Sequence, residues 1–180
     1  MSPPFMPELF RVFDAAGGRP LAQAASVSPD GLPEVRTVVL RALGTEADAC
    51  FASDLRSAKF ASLAGRPWLE LCLFDAASGV QWRVLGRTTT HAGDALALRV
   101  WAGLPADTRA LYGAPPPGSP LGPEGEAGTA MADPSPDPPA AFAVVRVAPV
   151  RCERLTLGPP LRRRRWTLDG TAWRVADVAP

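Results

Sequence analysis

Residues 21–42 read Leu21-Ala-Gln-Ala-Ala-Ser-Val27, Ser28-Pro-Asp-Gly-Leu-Pro33, then Glu34-Val-Arg-Thr-Val-Val-Leu-Arg-Ala42. Two apolar runs flank Pro-Asp-Gly, in which proline presets one turn dihedral while aspartate and glycine accept the others. This pattern predicts an antiparallel hairpin of strands 21–27 and 34–42. The same grammar recurs along the chain. A strand is expected over 47–53, and a second hairpin over 69–74 and 81–90 around Asp75-Ala-Ala-Ser-Gly79. Four further strands are expected over 141–147, 151–155, 162–168 and 172–178, with Asp169-Gly170 as a type I′ signal between the last two. Helical spacing is confined to short segments. These are Glu8–Ala16, stopped by Gly17-Gly18, then 58–64 behind Ser57 as N-cap, 94–102 and 106–111. Short strands, tight turns and brief helices make a mainly β chain whose antiparallel sheet closes into a barrel, with the helices peripheral. The β/α alternation of a doubly wound fold is missing, as are Gly-x-Gly-x-x-Gly and Walker loops.

The chain has 180 residues, which suits one domain over 1–180 and buries roughly 70% of the unfolded surface. A segment at 113–139 stands apart, with nine prolines and five glycines and almost no large apolar side chain. It reads as a surface insertion, because it cannot bury enough area to offset its ordering entropy. A net charge of +1 gives no electrostatic reason to expect nucleic acid or a membrane surface as partner. The run Arg162-Arg163-Arg164-Arg165 does not change this, because alternate strand residues face opposite sides. One histidine, His91, excludes His-rich metal sites, and no metal ligand set or acid/base pair is visible. Cys50, Cys72 and Cys152 form no Cys-x-x-Cys and read as reduced thiols of a cytoplasmic protein. The first residues lack the basic and apolar regions of a signal peptide, and no apolar run reaches the roughly 18 residues of a membrane span.

Two places carry chemistry. Arg36 sits among β-branched residues, so it either faces solvent or reaches a specific anion, since an unpaired buried guanidinium is expensive. Lys59, the only lysine, follows Ser53 and Ser57 within one turn. Hydroxyls, a helix start and an ammonium together make a phosphate site without a Gly-rich loop, and equally describe a plain Ser N-cap with a solvated lysine.

Taken together, Arg36-Thr-Val-Val-Leu-Arg41, Ser53-Asp-Leu-Arg-Ser-Ala-Lys59, Gln81-Trp-Arg-Val-Leu-Gly86 and the stretch from Arg163 through Trp166 to Trp173-Arg-Val175 resemble pyridoxamine 5′-phosphate oxidases in order and spacing. The likeness covers roughly residues 20–100 and 140–180 and is nearest to the cyanobacterial-type, oxidase-related FMN-binding branch. It implies an FMN-binding split β-barrel working as a homodimer, with flavin sites at the subunit interface. On this resemblance, Arg36 and Lys59 are phosphate cations, with Ser53 and Ser57 as hydroxyl groups beside them. Thr37, Val38, Val39 and Leu40 lie on the strand whose backbone edges the flavin. Gln81 faces the ring, and Arg163, or its same-face neighbour Arg165, approaches from the partner chain. Trp82 and Trp166 are either core anchors or neighbours of the flavin.

This chain also departs from the family. Ala58 replaces an arginine, and Arg41 replaces a lysine at the substrate contact. Leu104 stands near the place of the substrate-phosphate arginine, and Pro159 to Leu161 hold neither residue of an Arg-x-His pair. The resemblance implies an FMN-dependent oxidoreductase that takes hydride from a small substrate and passes electrons to oxygen or another acceptor. Pyridoxamine or pyridoxine 5′-phosphate is the first substrate to expect. The alternatives are an NAD(P)H-driven FMN reductase of another small molecule and a non-catalytic flavin-binding module.

Overall fold

The computed structural model describes residues 3–45, 47–120 and 135–180. Of the expected insertion at 113–139, residues 121–134 therefore lie outside the described residues. The order is α1 (Met6–Ala15), β1 (Leu21–Val27), β2 (Pro33–Leu43), β3 (Ala49–Asp54), α2 (Lys59–Gly65), β4 (Trp68–Asp75) and β5 (Val80–His91). There follow α3 (Ala95–Ala102), α4 (Ala106–Ala110), a 3₁₀ turn (Leu111–Gly113), β6 (Phe142–Thr156), β7 (Arg162–Asp169) and β8 (Ala172–Val178).

All strand pairs are antiparallel, in the order β3-β2-β1-β4-β5-β6-β7-β8. A further β3–β6 pairing closes the first six strands into a barrel and leaves β7 and β8 as an extension. Inward positions alternate along each strand as the pleat requires. Ala22 and Ala24 on β1, Leu69, Leu71 and Leu73 on β4, and Val80, Trp82 and Val84 on β5 fill the interior. α1 plugs one end with Met6 and Leu9, and Phe5 before it packs on Trp166 and Trp173 with ring centroids 5.5 and 5.0 Å away. Trp82 and Trp166 stack at 6.0 Å inside this core, which settles them as anchors. A second apolar cluster, built on Trp101, Leu104 and Phe142, seats α3 against the outside of the barrel.

Three expectations differ from the structure. The two strands expected at 141–147 and 151–155 are one 15-residue strand, β6. Pro149 falls where β6 changes neighbours: β3 pairs only as far as Val147, and β7 begins at Arg151. A missing N–H is tolerated there, and the ladder to β5 absorbs it as a register shift at Leu85/Gly86. Ser57 is not an N-cap; α2 starts at Lys59, and the Ser57 hydroxyl donates to the Asp54 carbonyl at 2.7 Å. In the β7–β8 turn Asp169 pairs with Ala172, so Gly170 and Thr171 are the loop residues. Only Gly170 has positive φ (59°), which suits type II′ rather than I′. His91 ends β5, with its Nδ1 2.7 Å from Asp94, which caps α3.

Candidate functional site

The barrel opens beside β2. On one side β2 pairs with β1 from Pro33 to Val39, but on the other it meets β3 only at Leu40, Ala42 and Leu43. β3 pairs with β6 along its whole length, from Ala49 to Asp54, and beyond Phe51 it has left β2. Among the described residues no strand therefore pairs with residues 36–39 on that side, and a cleft of about 220 Å³ lies in the gap. Arg36, Thr37, Val38, Val39, Ser53 and Lys59 line it on the strand side, with Arg41, Ala52, Thr108 and Tyr112 completing it. Leu40 points its side chain into the core and has only its backbone to offer.

From the segment 53–59, Ser53 and Lys59 reach the floor of the cleft. Lys59 Nζ donates to Ser53 Oγ at 2.7 Å and to Ser57 Oγ at 2.6 Å, leaving one ammonium proton unused. Among the described residues no carboxylate pairs with it. Burial, and then the Arg36 charge, hold its pKa below the ordinary lysine value. Arg36 donates to Ser26 Oγ at 2.6 Å and to Glu34 at 2.8 Å, using two of its five N–H groups. Its neighbourhood is thus neither bare solvent nor an unpaired burial. α2 has only seven residues and no side-chain cap, so the site rests on these side chains and not on a helix terminus.

Arg41 lies in the register break between Leu40 and Ala42, and such a bulge re-aims the side chain. Its Nε is buried without a hydrogen-bond partner, and its pKa is lowered by burial and then by Arg19. Among the described residues the cleft lining thus holds three cations and no carboxylate. Such a donor set suits a phosphate dianion at Lys59 and Arg36, and the open edge of β2 suits a flat ligand laid along it. The residues present fit FMN.

Gln81 and Arg163 lie elsewhere. They occupy one row of the outer sheet face, Gln81 opposite Leu155 and Leu155 opposite Arg163, and neither lines the cleft. Gln81 Nε2 meets Cys72 Sγ at 3.0 Å. Arg163 and Arg165 share that face and both grip Glu153, each with a contact of 2.6 Å, while Arg164 turns away to Asp177. Sequence reasoning missed Glu153. It is 3% exposed and is the hub for Arg83, Arg151, Arg163 and Arg165. Burial would raise its pKa, but hydrogen bonds from Arg163 and Arg165 outweigh that and hold it below the usual carboxylate value. A depressed acid stabilises the fold above its unfolded pKa and loses that contribution as pH falls through the folded one. Glu153→Gln is therefore expected to cost about 1.5 kcal/mol at neutral pH. The gap to wild type should shrink in chemical denaturation below the carboxylate range; a gap constant with pH would contradict this.

Tyr112 and Thr108 were also missed, because nothing near them in sequence marks them. Leu104, near which the substrate-phosphate arginine was expected, is buried in the second apolar cluster. Leu161 is half exposed.

Residues 7–92 match the family model described as pyridoxamine 5′-phosphate oxidase, FMN-binding domain. Over 143 residues the chain is 29% identical to pyridoxine/pyridoxamine 5′-phosphate oxidase 2 of Arabidopsis thaliana, covering 75% of this chain and 72% of the relative. The fold matches a pyridoxamine 5′-phosphate oxidase-related, FMN-binding protein of Nostoc punctiforme with a TM-score of 0.89 and 26% identity, over 100% of both chains. PhzG of Burkholderia lata, solved with tetrahydrophenazine-1-carboxylic acid, shares the fold at a TM-score of 0.83 and 19% identity, over 98% of this chain and 91% of its own.

Proposed function

We propose that the chain is a member of the pyridoxamine 5′-phosphate oxidase-like family of FMN-binding split barrels, which its matches to that family support, and that it is an FMN-dependent oxidoreductase of a small anionic molecule. The observation that carries the reading is the cleft lined, among the described residues, by Lys59, Arg36 and Arg41 and by no carboxylate. Lys59, Arg36 and the Ser53 hydroxyl hold the phosphate, and Ser57 keeps the ammonium in place. The backbone of Thr37, Val38, Val39 and Leu40 receives the edge of the ring. Bound FMN supplies a hydride acceptor that passes electrons to oxygen or another acceptor. Arg41 binds the anionic group of the substrate, because it is half buried and without a partner.

Gln81 and Arg163 serve the site of a second copy, so the working unit is a homodimer of single-domain chains. One chain holds the two residues on a face away from its own cleft. No helix among the described residues is long and apolar enough to cross a membrane, and all three thiols are free. We place the protein in the cytoplasm.

The test is to add FMN to the purified protein, desalt it and record the visible spectrum. The flavin band is expected to travel with the protein, and its loss on desalting overturns the reading. With the band retained, peroxide release from pyridoxine 5′-phosphate identifies an oxidase. Consumption of NAD(P)H without that release identifies the reductase alternative.

A further inference from the structure

The cleft has a wall that no strand supplies. Thr108 and Tyr112 lie on α4 and the 3₁₀ turn that follows it, a segment reached through α3 and more than fifty residues beyond the β3–α2 loop. Tyr112 is the only tyrosine in the chain. Its ring packs edge-on against Trp101 and Phe142, with centroids 5.7 and 5.0 Å away.

One side chain ties this segment to the cleft floor. Arg56 Nε and Nη2 grip the Asp54 carboxylate at 2.9 and 2.6 Å, and the Arg56 backbone N–H donates to the same carboxylate at 2.8 Å. The guanidinium is thereby aimed, and Nη2 reaches across to the carbonyls of Ala114 at 3.0 Å and Tyr112 at 3.4 Å. Asp54 also anchors the floor, because its carbonyl accepts the Ser57 hydroxyl that in turn accepts from Lys59. The loop 53–59 thus holds the cation with one face and the wall with the other. An exposed Arg–Asp pair contributes little stability by itself. Its value here is geometric, since the planar fork spends two contacts on orientation and leaves a donor for the turn.

We propose that Arg56 is a positioning residue, a latch that holds Tyr112 and Thr108 as the far wall of the cation cleft and so sets how long a bound ligand stays. This rests on FMN occupying the cleft. Tyr112 itself reports on the latch. Burial pushes its phenol up to about 12, with Arg41 lowering and Asp54 raising it as the charged neighbours. If the turn is released, the phenol is expected to titrate closer to the ordinary tyrosine value near ~10.

The experiment compares wild type, Arg56→Ala and Arg56→Lys in two measurements. The first is the ultraviolet titration of the single tyrosine in FMN-free protein. The second is the rate of FMN release, read as recovery of flavin fluorescence on dilution. Arg56→Ala is expected to lower the onset of phenolate formation and to speed release about tenfold, with the association rate little changed. Arg56→Lys is expected to fall between, because an ammonium cannot grip Asp54 and the carbonyls together. A melting temperature close to wild type shows that the variants fold.

An unchanged tyrosine titration overturns the latch. An altered titration with unchanged FMN release overturns its role in the site. If wild-type protein takes up no FMN, the reading beneath fails and the retention arm with it. Unchanged release from a protein that does bind FMN sinks the inference alone.

Discussion

Lys59→Met is expected to weaken FMN binding about 100-fold while leaving the melting temperature of the FMN-free protein unchanged or higher. The affinity loss follows from removing a charge-assisted contact to phosphate in a cleft whose lining, among the described residues, holds no carboxylate. The stability effect has the opposite sign because the native lysine is half buried beside the Arg36 charge, and the Asp54 charge offsets only part of that cost. Its folded pKa lies below the unfolded one, so across that interval the unfolded chain binds more protons and stability rises with pH. Below the interval the buried ammonium is a cost, which methionine of similar length removes. The loss of a donor for Ser53 and Ser57 offsets part of the gain. Fluorescence titration with FMN and thermal melting of the apoprotein check the two halves. Affinity within threefold of wild type, or a melting temperature several degrees lower, contradicts this account of Lys59. Arg36→Ala should weaken FMN as well but also destabilise the apoprotein, since Glu34 and Ser26 lose their partner.

Gly86→Ala is expected to destabilise the fold by about 3 kcal/mol, at the upper end for overpacking. A Cβ at this position would lie 2.5 Å from the Ala148 carbonyl oxygen and 2.6 Å from Val147 Cγ1. The first contact is with backbone, so it cannot be relieved by a rotamer change. The glycine stands at the register shift where β6 passes from closing the barrel to carrying β7 and β8. A shift there strains the longest interface in the molecule. Thermal denaturation should show a midpoint lower by about 6–12 °C for a chain of this size. A drop under one degree would mean that the bulge moves freely.

Much of the barrel is legible in the sequence wherever alternation is clean and the turn is spelled out by glycine or proline. Strands 21–27 and 172–178 are found at their expected bounds for this reason. A proline such as Pro149 normally ends a strand. Only the change of neighbours along β6, a tertiary fact, shows why this one does not. The floor of the cleft was legible because Arg36, Ser53, Ser57 and Lys59 lie close together in sequence, on adjacent elements. Its wall was not, since Arg56 and Tyr112 meet only after α3 and α4 have folded back over the barrel. Glu153 was hidden for a similar reason. A glutamate on a strand among arginines reads as surface until its neighbours on β5 and β7 close around it. Gln81 and Arg163 lie away from the cleft of their own chain, and the resemblance assigns only Arg163 to the site of a second copy.

The most direct test of the central claim is a crystal structure of the protein with FMN bound. The account predicts the phosphate within hydrogen-bond distance of Lys59 and Arg36, with the ring along residues 37–40 and Arg163 of a second copy beside it. A phosphate seated instead in the arginine-rich cleft of about 380 Å³ formed by Arg154, Arg162, Arg163 and Arg164 would contradict it.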